Sequence, residues 1–334
     1  MSSTSDKICK DGASNNKSSN DGVCDVNDML QNMNTFDVSL CANCGKNEEE
    51  SYKLKACTSC KMVKYCNREC QIAHRPQHKK ECRKRAAELH DIELFKQPPP
   101  AEDCPICFLL LPSLESGSRY KTCCGKTICS GCSYAPLYDN QGNEVDNEKC
   151  AFCRTPLPES DEECNERTMK RVEAHDPIAT FNLGCDYRDG LYGYPQDYNK
   201  ALERWHKAAN LGYAEAYSCI GYAYQYGQGV EVDKKKARYY YELAAMGGDE
   251  VSRHNLGNNE RNSGNTNRAL KHYMIAVRGG DTSSLDNIKE LYSSGDATKE
   301  EYTTALQFYQ TYLGEIKSRQ RDEAAAAYED YRYY

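Results

Sequence analysis

No stretch of this chain stays apolar for the roughly 20 residues that a membrane helix requires, so no membrane partner is expected. Its 334 residues contain no Ser/His/Asp constellation, no phosphate-binding glycine loop and no dinucleotide fingerprint. Hydrolysis, phosphoryl transfer and nicotinamide chemistry therefore have no signature here. Cationic excess is missing too: 43 Lys and Arg stand against 50 Asp and Glu, a net charge of −7. That balance argues against nucleic acid or an anionic membrane as a general partner. The opening MSSTSDKICKDGASNNKSSNDG has no apolar core and so lacks the mark of a secretory signal. Residues 1–36 hold too little apolar surface to offset chain entropy and are expected to be disordered.

Cysteine, by contrast, is abundant, with 20 residues. Without an export signal the expected setting is intracellular, cytoplasm or nucleus, where disulfides are disfavoured. Half of the cysteines fall in C-x2-C pairs between Cys41 and Cys153, which is metal-ligand spacing. The C-terminal half is poor in cysteine and rich in Tyr, Ala and Gly, and the change of composition marks the main boundary.

From Cys41 to Cys82 the chain reads C-x2-C-x12-C-x2-C-x5-C-x3-C-x7-H-x3-C. Seven cysteines and one histidine suffice for two tetrahedral zinc ions. This spacing resembles a MYND-type zinc finger over residues 41–82. The resemblance implies interleaved sites, with Cys41, Cys44, Cys66 and Cys70 on one zinc and Cys57, Cys60, His78 and Cys82 on the other. It also implies recruitment of proline-containing peptides. Gln71 matches the family's ligand surface, whereas its usual Trp is replaced by Arg75, followed by Pro76. His74 does not fit the ligand spacing and is expected to be an exposed helix residue.

Residues 83–103 read as a linker: a short helix, then an extended spacer at Pro98, Pro99 and Pro100. The basic run Lys79, Lys80, Arg83, Lys84 and Arg85 is expected to be exposed helix charge.

A second cluster runs from Cys104 to Cys153, with pairs at 104/107, 129/132 and 150/153 and a doublet, Cys123-Cys124, in TCCGKTICSGC. Three such pairs in about 50 residues again argue for two zinc ions. The span 104–153 contains no histidine; the nearest are His90 and His175. If one doublet cysteine binds, water or an acid such as Asp139 or Asp146 must supply the fourth ligand. The economical solution is that both bind, which requires a turn, since adjacent side chains diverge in a strand; Gly125 can supply the backbone freedom. The order of pairs resembles a RING-type finger over 104–154. By that resemblance Cys104, Cys107, Cys129 and Cys132 share one zinc, and Cys150 and Cys153 share the other with the doublet. The resemblance also gives Ile106 and Arg154 the contact with a ubiquitin-conjugating enzyme (E2), while Ala151 departs from the usual Pro.

After a linker helix in 155–176, residues 177–315 repeat. Leu183-Gly184, Ile220-Gly221 and Leu256-Gly257 recur at spacings of 37 and 36, and Ala208-Ala209 and Ala244-Ala245 recur before glycine turns. Such a period marks a solenoid of helix pairs. The units resemble Sel1-like repeats, relatives of the tetratricopeptide class, which implies a protein-binding scaffold. The tyrosines at 239–241 are assigned mainly to packing between repeats. Residues 316–334 are expected to form a charged helix that frays into an exposed end.

The expected architecture is thus small zinc-binding α+β modules followed by an all-α Sel1/TPR-like helical-repeat solenoid. Its expected function is a protein–protein interaction adaptor. The alternative is a RING-type E3 ubiquitin ligase, in which 104–154 binds an E2 and the remaining parts select substrate.

Overall fold

The computed structural model describes residues 39–49, 52–113, 115–135, 141–143 and 148–334. The expected disorder of residues 1–36 and the acids Asp139 and Asp146 lie outside them. The chain divides into two compact units, Met1–Glu88 and Leu89–Tyr334.

In the first unit, β1 (Lys55–Ala56) and β2 (Lys64–Tyr65) pair antiparallel. Helix α1 (Arg68–Leu94) follows and runs past the boundary. The short separate helix expected within 83–103 does not form. Residues 77–94 contain neither glycine nor proline, so nothing stops the helix begun at Arg68 until the approach to the proline run.

In the second unit, β3 (Ser118–Lys121) and β4 (Lys126–Cys129) form a hairpin that pairs Lys121 with Lys126. Two short helices come next, α2 (Ser130–Tyr134) and α3 (Asp161–Glu173). The first two repeats are α4 (Pro177–Asp189) with α5 (Tyr198–Asn210), and α6 (Ala214–Tyr226) with α7 (Lys234–Met246). The next two are α8 (Glu250–Asn262) with α9 (Thr266–Arg278), and α10 (Thr282–Ser294) with α11 (Lys299–Ile316). Helix α12 (Arg319–Ala327) ends the series. No described helix is long and apolar enough to cross a membrane.

The repeat helices start where the sequence places an oxygen acceptor. Asp176, Asp197, Asp233, Asp249 and Asp281 each accept backbone N–H groups of the first turn. Thr298 and Glu301 form a reciprocal capping box at α11.

Within a repeat, the glycine of the first helix receives an aromatic ring of the second. A Cβ on Gly184 would stand 2.6 Å from Trp205, one on Gly221 2.9 Å from Tyr241, and one on Gly257 would overlap the Tyr273 ring. All three rings are buried. The tyrosine run therefore splits by face: Tyr241 is core, whereas Tyr239 is 56% exposed. Tyr273 cannot retreat easily, because its hydroxyl donates to Asn258 Oδ1 at 2.7 Å. Gly257→Ala should gain about 1 kcal/mol of helix propensity and lose about 1–3 kcal/mol to overpacking. A net fall in Tm by circular dichroism is expected.

The tail departs from expectation. Arg321 and Tyr333 are 0% and 1% exposed. Arg321 donates to the carbonyls of Leu110 at 2.8 Å and Ile316 at 2.7 Å. Ser116 Oγ donates to Arg332 O at 2.6 Å and Tyr333 donates to Asp322. Helix α12 approaches α2 so closely that a Cβ on Gly131 would lie 2.8 Å from the Arg321 backbone nitrogen. A charged sequence is thus held because its arginine and tyrosine find buried partners. Nor is the segment before the prolines a plain spacer, since Leu94 is 0% exposed and packs with Ala237, Tyr241, Ala245 and Leu256.

Candidate metal centres

Five C-x2-C pairs supply ten of the sixteen proposed ligands, and four of the pairs share one backbone shape. After the second cysteine stands a residue in the left-handed region: Gly45 (φ 70°), Lys61 (56°), Phe108 (56°) and Arg154 (62°). Its N–H returns to the carbonyl of the first cysteine at 2.9 Å in all four, at Cys41, Cys57, Cys104 and Cys150. The turn points both sulfurs the same way. Three non-glycine residues hold this costly conformation, which is reasonable where metal ligation repays it. The pair Cys129/Cys132 is built differently, with Cys129 capping α2 and its sulfur accepting the Cys132 N–H at 3.5 Å.

The side chains converge in four groups, with all ligand atoms of a group within 4.8 Å of one another. They are Cys41/Cys44/Cys66/Cys70, Cys57/Cys60/His78/Cys82, Cys104/Cys107/Cys129/Cys132 and Cys123/Cys124/Cys150/Cys153. A zinc–sulfur bond of about 2.3 Å in a tetrahedron requires sulfur–sulfur edges of about 3.8 Å. The Sγ–Sγ distances run from 3.3 Å for Cys66–Cys70 and 3.4 Å for Cys123–Cys153, through 3.6 Å for Cys44–Cys66, 3.7 Å for Cys107–Cys129 and 3.8 Å for Cys57–Cys82, to 4.0 Å for Cys124–Cys150. Cys60 Sγ lies 3.1 Å from His78 Nε2. Donor type, number and spacing all fit zinc, and zinc binding is the property these clusters indicate.

Each group contains one thiol poised to ionise first. Burial opposes this at Cys41, but N–H groups of Cys44, Cys66 and Asn43 outweigh it and leave the thiol at about 6. Burial likewise opposes it at Cys57 and Cys153. At Cys57 the Cys60 N–H and the His78 ring prevail, at Cys153 the Thr155 hydroxyl and N–H, and each again sits at about 6. Bonds from the Cys129 and Cys132 thiols hold Cys104 well below the ordinary thiol range. The neighbours go the other way. Bonding to Cys70 raises Cys66 to about 12, and burial with bonding to Cys57 raises Cys82 to about 12. Cation binding must displace the protons of the raised thiols Cys66 and Cys82.

The doublet lies on the hairpin turn between β3 and β4. The N–H groups of Cys124 and Gly125 return to Lys121 O at 3.2 and 2.8 Å, with Gly125 at φ 68°. Two residues missed in the sequence, one outside the hairpin and one on its first strand, hold this turn. Arg171 of α3 donates to Thr122 O at 3.1 Å and Cys123 O at 2.9 Å, and Tyr120 donates to Asp176 at 2.7 Å. The linker helix therefore braces the metal loop. A Cβ on Gly125 would strike Asp176 Oδ2 at 2.8 Å, so this glycine serves both the turn and the brace. Arg321 is a third missed residue, with an N–H 3.8 Å from Cys107 Sγ. A four-cysteine zinc site would carry a formal charge of −2, which this buried cation would partly offset.

His74 is half-buried rather than exposed. Its Nδ1 is 3.1 Å from the Tyr65 hydroxyl, and its ring stacks on His78 at 5.6 Å. The i, i+4 spacing on α1 puts the two imidazoles on one face. Of the two E2-contact candidates, Ile106 is 37% exposed and Arg154 is exposed. Ala151 lines a cleft shared with Arg119, Lys121, Leu157, Tyr328 and Tyr331, so the tail borders the last cysteine pair.

Comparison with known proteins matches residues 41–82 to the MYND finger and residues 177–213 and 214–249 to the Sel1 repeat. A 55-residue stretch is 46% identical to E3 ubiquitin-protein ligase DA2 of Arabidopsis thaliana, over 16% of this chain and 12% of that protein. The chain thus spans about an eighth of the length of that relative. Among solved structures, a Sel1 repeat protein from Oxalobacter formigenes is 26% identical, with a TM-score of 0.39, over 50% of this chain and 65% of that one. The protective antigen c5321 of uropathogenic Escherichia coli, which displays an SLR fold, is 23% identical, with a TM-score of 0.40, over 58% and 39%. The chain therefore carries a MYND finger and Sel1 repeats, together with a RING-like cysteine module.

Proposed function

We propose that this protein is a zinc-dependent adaptor. Four zinc ions hold two binuclear modules, residues 41–82 and 104–154, and the modules and repeats present surfaces to other proteins. The observation that carries this reading is the joining of a complete MYND ligand set to Sel1 repeats, both protein-interaction modules. Its test is binding of the zinc-loaded chain to a panel of proline-containing peptides before and after chelation. Retention that falls with zinc content supports it; retention indifferent to zinc removes the zinc modules from the binding role. An E2 is a partner in the second reading alone, and nucleic acid is not expected.

The second reading is a RING-type ubiquitin ligase. It is favoured by likeness to a ligase over 55 residues and by the exposed Ile106 and Arg154. The chemistry would be positional: the module would hold an E2 whose thioester is already charged. Ile106→Ala removes an apolar contact without touching a ligand. With native zinc content retained, ubiquitin transfer across an E2 panel is expected to fall by about tenfold or more. Absence of transfer by the native chain across that panel leaves the adaptor reading alone.

A further inference from the structure

Residues 90–98 occupy a groove of the repeats in the manner of a bound peptide. Leu94 is fully buried among Tyr241 and Ala245 of α7 and Leu256 of α8. Its carbonyl, at the end of α1, lacks an intrahelical partner and accepts an N–H from Arg253 of α8. Arg253 is itself 1% exposed. Phe95 packs on His272 of α9 with ring centroids 4.7 Å apart, and the Arg268 and Lys271 cations stand 5.1 and 5.5 Å from its ring. At the rim, Asp91 pairs with Arg268, and Gln97 accepts from Arg278 at 3.1 Å.

The division of labour is that of recognition. Apolar anchors fill the floor, a buried arginine reads a helix end, and a basic side chain reads an acidic residue one turn earlier. The groove also has hydrogen-bonding capacity that its occupant leaves unused. The Arg253 Nε and Nη2 donors, and the one donor and one acceptor nitrogen of the neutral His272 ring, are buried without a partner, a costly state for polar groups. Beyond Gln97 the chain enters three prolines, a spacer from which the segment can leave without unfolding the cysteine module behind it.

We propose that the groove between α7, α8 and α9 recognises a helix end carrying Asp-x-x-Leu-Phe, that residues 91–95 fill it in cis, and that a partner helix of the same chemistry binds by displacing them. This rests on the adaptor reading and gives the repeats their partner class. The unused donors favour a partner that brings an additional carboxylate.

The probe is a fluorescent, proline-free peptide of residues 86–97, added to the zinc-loaded full chain and read by anisotropy. The tethered copy competes at an effective concentration on the order of millimolar, so native chain should bind the peptide weakly. The double variant Leu94→Asp/Phe95→Ala empties the groove and should bind at least ~10-fold more tightly. Adding Arg253→Met should abolish the gain. Equal binding by native and emptied chains, at unchanged helix and zinc content, would overturn the proposal. Should the double variant lose helix, hydrogen exchange on the native chain decides. Millimolar peptide must speed exchange at amides 89–97, and unchanged exchange there overturns the proposal as well. The probe reads only this groove, so a negative result leaves the zinc-dependent peptide test of the adaptor reading standing.

Discussion

Cys124→Ser is expected to leave the chain one zinc ion short of the four that the native chain is proposed to hold. A structural zinc contributes roughly 10–16 kcal/mol of apparent folding free energy at neutral pH, and serine is a poor replacement for a thiolate ligand. Cys124 stands 4.0 Å from Cys150 and Cys123 stands 3.4 Å from Cys153. Each doublet cysteine therefore faces its own member of the last pair, and Cys123→Ser should lose the same ion. Native mass spectrometry counts the ions directly. Hydrogen exchange should show lost protection at the β3–β4 turn, with the 41–82 module unchanged. Retention of four ions by either variant would mean that the fourth ligand is not in the doublet.

The second large effect is expected from Arg321→Met. The guanidinium satisfies the carbonyls of Leu110 and Ile316 and reaches Leu109 O at 3.4 Å. Methionine keeps much of the side-chain volume and strands one buried acceptor, Ile316 O, and one half-buried acceptor, Leu110 O, at up to about 1–3 kcal/mol each. The total loss should be ~1–4 kcal/mol, along with the cation beside Cys107. The urea midpoint should drop and amides of α12 should exchange faster. Zinc in the Cys104/Cys107/Cys129/Cys132 site should be surrendered to a chelator at roughly 10–100-fold lower chelator strength, the usual effect of losing an outer partner of a metal ligand. A variant indistinguishable from native in both readouts would reduce Arg321 to a bystander.

Local signals carry most of what the sequence discloses. A C-x2-C pair carries its own signal, because both side chains sit on one turn, and the convergence of the sixteen candidate ligands in four groups can be anticipated from spacing and family likeness. The repeats are legible because Gly184, Gly221 and Gly257 recur with their flanking apolar residues. What stays hidden depends on distant partners. Arg171 reaches a loop 48 residues back, Arg321 one 211 residues back, and Arg253 the end of α1 159 residues back. Each reads in sequence as an ordinary helix charge. His74 escapes sequence reading for a related reason: its stacking partner His78 is assigned to a metal, leaving no evident reason for a second imidazole to turn inward.

The seat of the tail has a consequence for how this chain is made. Cys132 is synthesised about 200 residues before Tyr333, and a ribosome adds roughly 5–20 residues per second. Contacts between α2 and α12 therefore wait ~10–40 s after the last ligand of the Cys104 site has been made. Throughout that interval the site lacks its buried arginine and its thiols stand open to oxidants. The chain's yield of native molecules should depend on free zinc during translation more steeply than its stability does afterwards.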